Sequence, residues 1–106
     1  MPAILTGIAW YVRAEWPLLL GISTDGDSLE RTYEEWHVIA ERAYARLQEE
    51  GLAVEKVEVR VVELLAWCAE QGRPVDESAR AAFVSDKLRR RDELAVAPLV
   101  PPPQDE

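Results

Sequence analysis

A single histidine stands in the stretch TYEEWHVIAERAY, residues 32–44. His37 has Glu34 three residues before it and Glu41 four after it, so on a helix the three share one side. Glu-x-x-His at this spacing is the pair that di-iron carboxylate bundles use, with further carboxylates and a second such pair completing the metal shell. The chain has no second histidine, so a metal would need ligands from another copy. The plainer reading is a solvated, charged helix face, to which Glu30 also belongs. Glu30, Glu34, His37 and Glu41 therefore enter as a candidate binding surface, and neither a metal nor another cofactor is expected.

Cys68 is the one thiol. A nucleophilic cysteine needs a partly exposed, electropositive setting and a base. Cys68 instead falls in phase with Val61, Leu64 and Leu65 on an apolar helical stripe, and is expected to be a core residue. Alone, it also excludes an internal disulfide and every multi-cysteine zinc pattern. The run KLRRRD, Lys87 to Asp92, is the only basic cluster. Placed at the end of a helix, its cations would offset the macrodipole. TDGDSLE has its glycine at the wrong position for an EF-hand loop. No Gly-rich phosphate loop, nucleophile elbow or CxxC is present. Of four tryptophans, Trp10 and Trp36 fit core stripes. Trp16 and Trp67 lie at helix flanks and are the candidates for contact with a partner, since tryptophan is enriched at binding hot spots.

These residues must be positioned by elements that can be read from periodicity. Residues 4–12, ILTGIAWYV, carry apolar side chains at both odd and even positions, as a strand covered on both faces does. A short helix is expected over 14–22, with Pro17 in its first turn where a missing N–H costs little. Asp27 and Glu30 have capping-box spacing, which predicts a helix over 28–50 with the stripe Leu29, Tyr33, Trp36, Ala40, Ala43, Tyr44 and Leu47. Gly51 is placed to end it. Residues 54–61, VEKVEVRV, alternate and predict a strand with one wet face. A helix from Val61 ending at Gly72 and Pro74 follows, then an Asp76-capped helix to about Asp92. The Pro-rich segment 96–106 reads as a flexible tail.

The order is strand–helix–helix taken twice, with identity between the halves too low to claim a duplication. The expected fold class is α+β or α/β: one domain over 1–95, a two-stranded sheet packed with helices. Two strands alone are marginal in water, so a second copy extending the sheet across a two-fold axis is expected to help.

With 106 residues, 48% hydrophobic and 30% charged, the chain can build one real core. No apolar run approaches the roughly 20 residues needed to cross a bilayer, and MPAILTGIAWY lacks a basic leader and a small-residue cleavage site. A cytoplasmic protein without membrane contact is the expectation. The formal charge of −8 repels phosphate backbones and makes nucleic acid an unexpected partner. It attracts a basic one. The functional expectation is a non-catalytic, acidic protein-interaction module of antitoxin, immunity or adaptor type. The alternative is a small-ligand or metal-binding domain or enzyme using Glu34, His37 and Glu41.

Overall fold

The computed structural model describes residues 5–96. Strand β1 spans Leu5–Tyr11, helix α1 Trp16–Ile22, helix α2 Tyr33–Glu49, strand β2 Ala53–Val59, helix α3 Val61–Gln71 and helix α4 Glu77–Val96. The two strands pair in parallel, with Leu5 opposite Ala53 and Tyr11 opposite Val59. Four helices around this sheet give a small, compact domain of mixed α+β type. The strand–helix–helix order is as the periodicity predicts.

The helices do not repeat in space. On one face of the sheet α4 lies against Gly7, where a Cβ would come within 2.7 Å of both Leu88 Cδ1 and Val84 Cγ1. On the other face α2 covers Trp10, whose ring meets Trp36, His37 and Tyr44 edge-on. A translational repeat of two parallel strand units would put both long helices on the same face. Their opposite placement gives a duplication no support.

Local sequence explains most boundaries, and two of the expectations need correction. Helix α2 starts at Tyr33, five residues later than predicted, because Thr32 rather than Asp27 is its cap. The Thr32 hydroxyl accepts the Glu35 N–H at 3.1 Å and the Glu35 carboxylate accepts the Thr32 N–H at 3.4 Å. That is the same T-x-x-E box, displaced from the D-x-x-E of residues 27–30. Residues 26–28 form only a 3-10 turn. Gly51 closes the helix with φ +83°, its N–H bonding Gln48 and the Leu52 N–H bonding Leu47, a Schellman closure that only glycine enters without strain. The second correction is α4. It runs through to Val96, so Lys87–Asp92 lie inside the helix, away from the C-terminal turn. The tail expectation for 96–106 falls, beyond Val96, outside the described residues.

The core lies chiefly between the sheet and α4, with α1 and α3 closing its end. Leu19, Val59, Val61, Leu64 and Cys68 are its most enclosed side chains, with Val57, Val75, Ala79, Phe83, Val84 and Leu88 around them. On α3 the buried stripe is Val61, Leu64 and Cys68, whereas Leu65 is exposed. Cap geometry of α3 comes from far away in sequence. Arg60 at its N-cap offers no side-chain acceptor, and Glu15 supplies one instead, accepting the Val61 N–H at 3.0 Å while its other oxygen takes Arg60 at 2.7 Å. This carboxylate therefore ties the start of α1 to the start of α3.

Candidate functional site

The acidic set around His37 does not converge. With the helix beginning at Tyr33, Glu30 lies outside it, and its backbone carbonyl accepts the Trp16 indole N–H at 3.2 Å. Glu34 turns to Arg13. His37 and Glu41 do remain together, with Nε2 and Oε2 3.4 Å apart, but Glu41 is shared with Lys56 at 3.4 Å. The imidazole stacks on Tyr33 with ring centroids 5.6 Å apart and meets Trp10 at 5.7 Å. His37 thus belongs to the flank of the aromatic layer over the sheet, and the solvated face expected for it is only partly solvated. Among the described residues no group of three or more His, Cys, Asp or Glu side chains is arranged to hold a metal ion. The predicted wet face of β2 is likewise half covered, since the Lys56 ammonium sits 4.3 Å from the centroid of Trp10 and 4.8 Å from that of Tyr44.

The two flank tryptophans separate. Trp16 is only 2% exposed and stacks on Trp36, with centroids 5.5 Å apart, so it is a core residue. Trp67 is half-buried against Phe83 and lines a cleft of about 560 Å³ between α3 and α4 with Glu63, Lys87 and Arg90. Cys68 is fully buried and burial pushes its thiol up from the ordinary range, as a core thiol should behave. The basic run on α4 is engaged at intervals: Lys87 donates to the Glu58 carbonyl at 2.6 Å, Arg90 pairs with Asp86 at 3.0 Å, and Arg91 reaches Glu55. Specific carboxylates and a strand carbonyl take the place of the macrodipole as its partners.

One constellation escaped the sequence reading. Arg80 has a side chain only 8% exposed and holds Asp25 through two parallel bonds of 2.9 and 2.7 Å, with Ser23 Oγ at 3.3 Å. The hydrogen bond from Arg80 keeps the Asp25 carboxyl below its usual range against the opposing effect of burial. Tyr11 stands beside them, its phenol pushed up to about 12 chiefly by burial. Thr24 fixes the loop by bonding the Val75 carbonyl through its N–H at 2.8 Å, which brings Asp25 to α4. The signal was legible in SARAAFV, residues 78–84: Arg80 lies three and four residues before Phe83 and Val84, hence on the buried face. An arginine there must bring its own carboxylate.

Arg80 and Tyr11 open onto a groove of about 1010 Å³. Its walls are β1, through Leu5, Gly7 and Ala9, and the outer side of α4, through Glu77, Ala81, Ser85 and Arg89. It runs along the edge of β1 that β2 does not use. In a two-stranded sheet each strand has one such edge, with a row of unpaired N–H and C=O groups. The two edges differ sharply. Strand β2, AVEKVEV, carries Glu55, Lys56 and Glu58, whereas β1, LTGIAWY, carries no charge at all. Yet β2 buries Val57 and Val59, while in β1 only Tyr11 is buried. Among the described residues, no backbone or side-chain hydrogen bond reaches the β1 backbone from the groove side.

Comparison with known proteins returns no matching family model, no similar curated protein and no similar solved structure. No helix among the described residues is long and apolar enough to cross a membrane.

Proposed function

We propose that the protein is a non-catalytic interaction module that completes its sheet with a strand from another polypeptide, laid along the open edge of β1. The observation that carries this reading is the contrast between the strands. Natural edges are guarded by charge, proline or a bulge against unwanted pairing. The β2 edge has that protection, and the β1 edge, uncharged and bordered by a groove, lacks it. Strand addition gives affinity through main-chain bonds, and the groove receives the side chains that face α4. A second copy of the chain is one donor of such a strand. The acidic surface that remains, at −8 per chain, suits a basic partner elsewhere on the module, in an adaptor, antitoxin or immunity role in the cytoplasm. Glu34 and Glu41, committed to separate cations, lend nothing to the small-ligand, metal or enzyme alternative.

Amide exchange tests the proposal. In a parallel pair, alternate residues of a strand bond to the neighbour and the rest point away. In the assembled state every amide of Leu5–Tyr11 should exchange slowly. If alternate β1 amides exchange as fast as unpaired ones in every complex isolated from the host, and in the concentrated protein alone, the reading fails.

A further inference from the structure

One end of the groove holds polar groups that the fold leaves unused. Tyr11 is only 7% exposed, and its O–H has no hydrogen-bond partner among the described residues. Arg80, with its side chain 8% exposed, commits both Nη1 donors and one Nη2 donor to Ser23 and Asp25. Its Nε–H and second Nη2–H remain, without an acceptor among the described residues. Both residues line the groove. A buried donor that lacks an acceptor destabilises a fold, and such groups in native proteins mark a function or a missing partner.

Charge decides what these donors take. Asp25 already neutralises Arg80 through paired bonds. Glu77, exposed and one turn before Arg80 on α4, lines the same groove. A carboxylate at this spot would meet both of those carboxylates, and an ammonium would meet a guanidinium. Burial keeps the Tyr11 phenol protonated, with its pKa near 12, so it donates. The group that fits is an uncharged oxygen. A strand docked along β1 keeps its backbone groups in the plane of the sheet and sends alternate side chains toward α4, so only a side chain reaches Tyr11 and Arg80. A carboxamide matches: its oxygen accepts from both residues, and its NH2 donates to Glu77.

We propose that the Tyr11 end of the groove is a recognition subsite for an asparagine or glutamine side chain on the docked strand. This rests on the reading of β1 as a docking edge. The next inward side chains along that strand meet Ala9, Gly7 and Ala81. Read from the Tyr11 end, the strand is therefore amide, any residue, apolar, any residue, apolar. This chain does not supply such a strand. It has no asparagine. Gln48 and Gln71 lie on α2 and α3, and Gln104 directly follows Pro101, Pro102 and Pro103, which lack the N–H a ladder needs. The donor is a different polypeptide.

Peptide titration of the full, isotope-labelled chain by NMR tests the subsite. Three peptides with blocked ends match the seven residues of Leu5–Tyr11. Each alternates threonine with inward residues. The middle inward residue is valine and the outer two are glutamine, glutamate or leucine, so either strand direction presents the varied residue to Tyr11. The glutamine peptide should shift the Arg80 Nε–H saturably and slow the β1 amides, with the other two binding roughly tenfold more weakly. Tyr11→Phe removes only the hydroxyl. It should erase most of that preference without lowering the melting temperature, because the hydroxyl bonds nothing in the free protein. Glu77→Gln should narrow the gap between the glutamate and glutamine peptides several-fold. Equal binding of the three peptides overturns the subsite, as does no binding at millimolar concentration. So does a Tyr11→Phe protein that melts lower or keeps the preference. Slowed β1 amides with an unmoved Arg80 Nε–H overturn the subsite alone and leave β1 as a docking edge. A shifted Arg80 Nε–H with β1 amides still fast supports the amide site and overturns the docking edge.

Discussion

Replacing Asp25 by alanine should cost the fold about 2–4 kcal/mol. Removing one partner of a buried ion pair typically costs about 3–5 kcal/mol, because the other charge stays behind without compensation. Arg80, with its side chain 8% exposed, is such a charge. Asp25 is 26% exposed, so water can enter the space it vacates and solvate part of the guanidinium, which lowers the expected loss. Ser23 Oγ remains as a single neutral acceptor. Urea unfolding followed by tryptophan emission is the assay, since Trp16 and Trp36 sit in the packed region. With a slope of about 1–1.5 kcal/mol/M for a domain of this size, the midpoint should fall by roughly 1.3–4 M. Adding Arg80→Met to Asp25→Ala removes the stranded charge and should recover part of the loss, so the two substitutions should be strongly non-additive. A loss for Asp25→Ala below about 1 kcal/mol, or costs that simply add, would show that the pair behaves as a surface ion pair and would refute the reasoning from burial.

Further outcomes follow from the same geometry. Gly7→Ala drives a methyl to within 2.7 Å of Leu88 and Val84 and should destabilise by about 1–3 kcal/mol through overpacking, read by the same denaturation curve; an unchanged midpoint would mean α4 can lift from the sheet at little cost. Asp25, Glu15 and Glu55 are each held below their ordinary values of 3.8, 4.5 and 4.5 by bonds from Arg80, Arg60 and Arg91. Lowered folded-state values mean that their stabilisation is complete above the unfolded-state values and is lost as pH falls through the folded ones. The melting temperature should therefore hold down to about pH 5 and drop below it, with a smaller drop in Asp25→Ala; a flat acid profile would contradict this. Neither zinc nor a chelator should move the melting temperature, because Glu34 is turned to Arg13 and Glu41 is shared with Lys56. A zinc-dependent rise that disappears in His37→Ala would reinstate a metal site.

The periodicity of the chain carried the element order, because alternation in VEKVEVRV and the stripe from Tyr33 to Leu47 each admit one secondary structure. It did not carry register or direction. Nothing local to Leu5–Tyr11 says that its neighbour is Ala53–Val59 or that the two run in parallel, since pairing is chosen by how the intervening helices fold back. The start of α2 was misplaced because two boxes of equal spacing compete. Thr32 wins, as its hydroxyl bonds the Glu35 N–H while residues 26–28 take a 3-10 turn. The cluster at His37 depended on that earlier start, and it came apart once Glu30 left the helix. Arg80 was overlooked for the opposite reason. Its place on the buried face of α4 was readable, but its partner Asp25 lies 55 residues away and meets it only through the loop that Thr24 fastens to Val75. The groove was invisible in the sequence, being a property of how α4 is set against β1.

The parallel ladder also governs when the protein can fold. Leu5 must wait for Ala53, forty-eight residues further along, and at about 5–20 residues per second a ribosome takes roughly 2–10 s to supply it. During that interval a neutral, sticky strand has emerged without its mate. Helix α2 can cover the Trp10 face early, but the edge that β2 takes stays bare until then, and the closing of so long a crossover makes for slow initial folding. Nascent chains of this protein should lean on a chaperone that holds β1 until β2 arrives, and polysomes translating it at high density should be the place where misassociation begins.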